Sequence, residues 1–167
     1  MTTSRADRAA SPELFRRLMS RFASGITVLT TVDGAKRPHG MTVSAFSSVS
    51  LDPPLVLVCV DRAASMLQVL DASAHFAVNI LSREQEAISR RFSVEEMELR
   101  FDGIGHSLGT TGAPVLHEAL AILECRRVAR HDAGDHVIFI GQVVAGEMRT
   151  AARPLVYYAG EYGRVEA

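Results

Sequence analysis

Only two cysteines and one lysine occur in 167 residues, and no apolar run outlasts Leu55–Val60. Each scarcity removes a class of function. Cys59 and Cys125 are too few for a disulfide framework and lack the spacing of a metal site. Both lie in strand-like apolar context, so they read as buried free thiols in a reducing cytoplasm. A run as short as Leu55–Val60 cannot span a bilayer, which argues against a membrane protein. The 18 basic and 19 acidic residues are well mixed, for a net charge of -1. Without a basic stripe, nucleic acid is not an expected partner. The first ten residues are polar and carry no signal-peptide core, so residues 1–10 read as a flexible tail and 11–167 as one domain. His131 and His136 flank Asp132 and Asp135, but no second cluster offers further ligands, so no metal is expected.

What the chain does have is apolar bulk and β-branched texture. Hydrophobic residues make up 47% of it, and the surplus over one core points to a subunit interface. Ser11-Pro12-Glu13 has the form of a helix start, and Leu14, Phe15, Leu18, Met19 and Phe22 recur at helical spacing up to about Gly25. Strands are expected over 25–32, 40–50, 55–60, 75–81, 119–129, 136–147 and 154–158, with short helices over 63–70 and 83–92 and a further helical stretch at 95–100. Most connections between strands are short, so pairing is antiparallel and a small β-barrel with peripheral helices is the expected architecture. A doubly wound sheet would need more crossover helices than the chain supplies.

The segment from Gly40 to Pro54 is the most telling. Thr42, Ser44, Ser48 and Ser50 fall on one strand face, and Ser47 falls on the other with Val43, Ala45 and Val49. So many small donors beside so little bulk suit a strand that lies against a flat polar ring and holds a phosphate. An exposed edge strand rich in serine is the plain alternative. Arg62 and Ser65, at the start of a short helix, suit a phosphate as well as they suit solvent. His136 opens an apolar strand after the tight turn Gly134-Asp135, and Gly141 marks close approach by something bulky. The glycines from Gly103 to Gly112 lack the strand-to-helix context of a dinucleotide fingerprint and read as a flexible surface loop, a candidate lid. A Ser/His/Asp hydrolase would show a Gly-x-Ser-x-Gly elbow, and the chain is read as having none.

In order and spacing, several segments together resemble the flavin reductase-like, split-barrel FMN-binding family, in particular the small reductase components of two-component flavin-dependent monooxygenases. They are Phe22 to Thr31, Gly40 to Val58, Phe76 to Leu81, Gly134-Asp135-His136 and Pro154 to Tyr158. The resemblance implies a mainly β fold with peripheral helices, an antiparallel split β-barrel of Greek-key type, working as a homodimer. It implies FMN or FAD as the flavin, NADH or NADPH as co-substrate, and a monooxygenase that receives the reduced flavin. Thr42, Val43 and Ser44 would then run along the isoalloxazine ring, with Ser47 and Ser48 toward the ribityl and phosphate. Arg62 and Ser65 would touch the phosphate or adenosine side, Phe92 would flank the ring or the nucleotide, and His136 would meet the nicotinamide or the flavin's reactive edge. Two other readings stay open: an FMN-binding protein with tightly held flavin and no free reductase activity, and an oxidase of the related pyridoxamine-phosphate type. The second would want a basic pocket, and Lys36 is the only lysine.

Overall fold

Twelve strands and three helices appear in the computed structural model, which describes residues 9–165. The strands are β1 (Ser24–Gly25), β2 (Thr27–Val32), β3 (Pro38–Val43), β4 (Phe46–Leu51), β5 (Pro54–Asp61), β6 (His75–Ile80), β7 (His106–Leu108), β8 (Pro114–Leu116), β9 (Ala121–Ala133), β10 (His136–Met148), β11 (Val156–Tyr158) and β12 (Glu161–Gly163). The helices are α1 (Pro12–Met19), α2 (Met66–Ala72) and α3 (Glu86–Val94). The expectation for residues 1–8 lies outside the described residues.

Seven strands form the main sheet in the order β3-β2-β6-β9-β10-β5-β4, every pair antiparallel. β3 and β4 are thus its opposite edges, yet only Ser44 and Ala45 separate them in the chain. Laid flat, six inter-strand steps of about 4.8 Å would put those edges about 29 Å apart, whereas three Cα steps of about 3.8 Å reach only about 11 Å. The sheet must curl until its edges meet. They meet without pairing: the Ala45 carbonyl accepts instead from the Cys59 N–H on β5, at 3.0 Å. This is the split barrel expected, but the hydroxyl-rich segment is two strands and not one.

The alternation along β5 and β10 sends Val56, Val58, Val60, Val137 and Phe139 into the barrel, where Met66 and Leu70 of α2 join them. A second cluster, outside the barrel, places Val28 of β2 against Phe92, Phe101 and Leu116. β2 is therefore buried on both faces, and its hydroxyls need internal partners. Thr30 Oγ1 donates to the Pro114 carbonyl at 2.6 Å, and Thr27 Oγ1 to that of Val43 at 2.7 Å. The bulky neighbour of Gly141 is the Phe76 ring, which a Cβ there would strike.

The segment from Gly103 to Pro114 is not a free lid. β7 and β8 make a hairpin, and the buried Glu124 carboxylate accepts from the Thr111 N–H at 2.7 Å and its hydroxyl at 2.8 Å. Burial pushes the Glu124 carboxyl up, but the hydrogen bonds from Thr111 and Thr110 outweigh it and hold its pKa below the ordinary value. Glu124→Gln should therefore lower stability by about 1–3 kcal/mol. Because the folded pKa is the lower one, this stabilisation is complete above the unfolded value of about 4.3 and is lost as pH falls through the folded one. Urea unfolding of both proteins from pH 7 downward should show their difference shrinking only below about pH 4.3.

Candidate active site

Where β3 and β4 approach without pairing, two cavities open. The larger, about 1040 Å³, lies between Ser44, Ser47 and Cys59 on the barrel and Phe15 and Met19 of α1. The smaller, about 770 Å³, runs past Thr42 to Glu86, Arg90 and Tyr162. Ser44, Tyr157 and Gly160 line both, so the exposed Ser44 stands at their junction.

Local sequence explains why these walls face each other. A Cβ on Gly40 would lie 2.7 Å from Phe92 Cε1 and 3.3 Å from the Leu29 carbonyl oxygen, so glycine lets α3 sit close on β3. Thr42 Oγ1 then donates to the Ser89 carbonyl at 2.7 Å. Ser89 Oγ and Tyr162 Oη are hydrogen-bonded at 2.8 Å, which carries the C-terminal hairpin onto the same helix. That hairpin turns through Ala159 and Gly160, both at positive φ (54° and 88°), and sets Tyr157 edge-on to Tyr162 with centroids 5.4 Å apart. The Arg90 guanidinium lies 4.6 Å above the Tyr162 ring and is held by two hydrogen bonds to Glu86 Oε1, at 2.9 and 2.7 Å. Hydroxyls on one side, with aromatics and a cation on the other, suit a flat ligand that carries or acquires negative charge.

Burial pushes the Cys59 thiol in the larger cavity up, which disfavours its thiolate. The buried Cys125 is pushed up to about 12 by burial and by Glu124. Among the described residues no cluster of three or more His, Cys, Asp or Glu side chains converges as a metal site.

The predicted residues divide. Thr42, Ser44 and Ser47 come together at the seam. Ser44 and Ser47, expected on opposite faces, line one cavity because the strand breaks at Ser44–Ala45. Ser48 is exposed on β4 but lines neither cavity. Val43, expected to meet the ring through its peptide, has its side chain in the core and its carbonyl bonded to Thr27. Phe92 is corrected. It is fully buried, edge-on to Phe101 at 5.0 Å, and supports β3 from beneath. Ser65 is exposed at the start of α2 and makes no capping bond there.

Arg62 and His136 form a separate group beside the seam. His136 is paired with Asp61, and its Nδ1 lies 2.8 Å from Asp135 Oδ1. Ala45 is bonded to Cys59, two residues from Asp61, so strand spacings put His136 on the order of 12 Å from Ala45. The Arg62 guanidinium is turned onto the Gly134 carbonyl (2.9 Å) and Asp132 (2.8 Å), not into either cavity.

Sequence reasoning missed Glu86 and Arg90, whose only signal was an i, i+4 ion pair. It also passed over Gly105-His106-Ser107-Leu108-Gly109, which spells Gly-x-Ser-x-Gly. Ser107 lies on β7, paired with Val115 in a two-stranded hairpin, with no helix after it, so it is not on a nucleophile elbow.

A split antiparallel barrel with two cavities meeting at its strand break is the class of protein that the fold defines. The chain belongs to the flavin reductase like domain family, whose sequence pattern matches residues 19–166. It is 40% identical over 150 residues to SmoA of Agrobacterium fabrum, named an FMN reductase (NADH), covering 90% of this chain and 84% of that one. It is 36% identical over 157 residues to HsaB of Mycobacterium tuberculosis, named the reductase subunit of a flavin-dependent monooxygenase, covering 93% and 83%. Among solved structures it is similar to SgcE6 of Streptomyces globisporus, an NADH:FAD oxidoreductase in complex with NAD and FAD fragments. The TM-score is 0.87 and the identity 37%, over 95% of this chain and 97% of that one.

Gly40→Ala should drive the new methyl into Phe92 and cost about 1–3 kcal/mol, as overpacking of a core does. Adding Phe92→Leu should recover part of that loss in thermal or urea unfolding.

Proposed function

We propose that the chain is an NAD(P)H-dependent flavin reductase of the EC 1.5.1 type. It reduces FMN or FAD and releases the product to a separate flavin-dependent monooxygenase. The observation that carries this reading is the pair of cavities meeting at Ser44, which gives two planar ligands one shared edge. The donor set fits a flavin, with hydroxyls for the polar edge of the ring and tyrosines for its face.

Hydride transfer from nicotinamide to flavin is chemistry that the two ligands supply themselves. The protein contributes geometry and charge. Thr42, Ser44 and Ser47 hold the flavin at the seam, with the exposed Ser48 and Ser65 left for its ribityl and phosphate end. Seating two rings in reactive contact can contribute roughly 7–11 kcal/mol. Arg90, fixed by Glu86 and stacked on Tyr162, offers positive charge toward the negative charge that develops on reduction. His136 serves the nicotinamide end. Asp135 accepts from Nδ1, so Nε2 is the nitrogen left for the ligand. No nucleophile is required.

A flavin held mainly by hydroxyls exchanges readily, which favours a diffusing product over fixed FMN. We further propose a homodimer. α1 has no buried residue, and Leu14, Phe15, Leu18, Met19 and Phe22 are 48–72% exposed. A second copy over that face would remove it from water and wall the larger cavity, which Phe15 and Met19 line. The cytoplasm, which supplies NAD(P)H, is the proposed compartment. Among the described residues no helix is long and apolar enough to cross a membrane.

Loss of the nicotinamide absorbance band should require both added flavin and the protein, with micromolar flavin affinity. Oxidation that stays absent with FMN, FAD and riboflavin alike would leave only a flavin carrier. His136→Ala should lower turnover by on the order of tenfold, about 1.4 kcal/mol of transition-state stabilisation, while FMN affinity stays within about twofold. Sedimentation of Phe15→Asp should show a shift toward monomer relative to the parent protein.

A further inference from the structure

We infer that Arg62 is a positioning residue for His136, clamping the turn from which the imidazole projects. The inference rests on the role just proposed for His136. β5 ends at Asp61, the register partner of His136, and the next residue folds back over the β9–β10 turn. The Arg62 main-chain N–H donates to the Asp135 carbonyl at 2.9 Å, and its Nε to the Gly134 carbonyl at 2.9 Å. Its Nη2 meets Asp132 Oδ1 at 2.8 Å. One residue thereby grips three of the four that precede His136.

The turn needs such a grip. Its loop is only Gly134-Asp135, with Gly134 at φ 63°, and the His136 side chain is 41% exposed. Packing alone does not hold a ring so exposed. Asp135 orients it through the contact to Nδ1, and Arg62 fixes the peptide that carries Asp135. The guanidinium is itself braced from behind. Asp132 Oδ1 also accepts from Arg130 Nη1 at 2.7 Å, and Arg130 Nε reaches Asp71 on α2 at 2.9 Å. A phosphate would want the planar Nε–Nη2 edge of Arg62, and that edge is already spent on the turn.

The test is Arg62→Met, which keeps the stem and the main-chain N–H but loses the side-chain contacts to Gly134 and Asp132, measured alone and combined with His136→Ala. Alone, Arg62→Met should lower kcat with NADH by on the order of tenfold, with affinities for FMN and for riboflavin both within about twofold of the parent protein. In the His136→Ala background it should cost less than about twofold more, because both changes remove one function. Asp132→Asn, which loosens one of the three contacts and is milder for folding, should show the same pattern at smaller size. Weakened FMN binding with unchanged riboflavin binding would make Arg62 a phosphate ligand and overturn the inference. Additive losses in the double variant, or no loss in Arg62→Met, would overturn it equally. If His136→Ala itself turns over normally, the role given to His136 fails first and this inference with it, an outcome distinct from the others.

Discussion

Two residues join the opposite edges of a seven-stranded sheet, and most of the molecule's functional geometry descends from that. Because Ser44 and Ala45 are too short to cross a flat sheet, the sheet is forced round into a barrel. Because they are not strand, the barrel cannot zip shut at that point. β3 and β4 leave an interval in the hydrogen-bonded wall where small hydroxyl side chains face outward. A closed barrel of the same strands would have had no such interval.

The remaining elements convert that interval into paired cavities. α3 is drawn onto β3 by the absence of a side chain at Gly40 and by the bond from Thr42 to Ser89. The C-terminal hairpin is drawn onto α3 by Ser89 and Tyr162. Ser89 therefore links strand, helix and hairpin, and its full burial accords with that role. The aromatic and charged wall is built last, from residues far apart in the chain, on a surface that α3 levels. α1 stands off from the barrel on the other side, its apolar face uncovered in the single chain. The larger cavity thus has a wall whose outer side is apolar.

The fold was legible because its signals are local. β-branched runs, Pro-Glu after Ser11 and short turns place nearly every strand of the main sheet and all three helices within a few residues of where they lie. The seam was half legible. Thr42, Ser44 and Ser47 stand out as hydroxyls where bulk is expected, but alternation could not say that the strand stops after Val43. Phe92 looked like a ligand contact in sequence and is a core residue in space, since α3 turns its Ser89 and Phe92 positions inward together. Arg62 looked like an anion ligand, and its hydrogen bonds go to a turn more than sixty residues away in the chain. Glu86 and Arg90 carried almost no sequence signal of function, because an ion pair on a helix is commonly only a solvated face.

Sequence alone determined the helices, most strands of the main sheet and the even charge, and the order of its segments carried the resemblance to the family. The elements and the charge follow from composition and periodicity, readable within short windows, whereas the resemblance rests on the order and spacing of segments along the chain. Tertiary structure decided which hydroxyls share a cavity, which aromatics line it and which merely support it, and which carbonyls an arginine satisfies. The reason is that hydrogen-bond partners and burial are set by the closure of the sheet. That closure is a long-range geometric requirement that no local stretch of chain expresses.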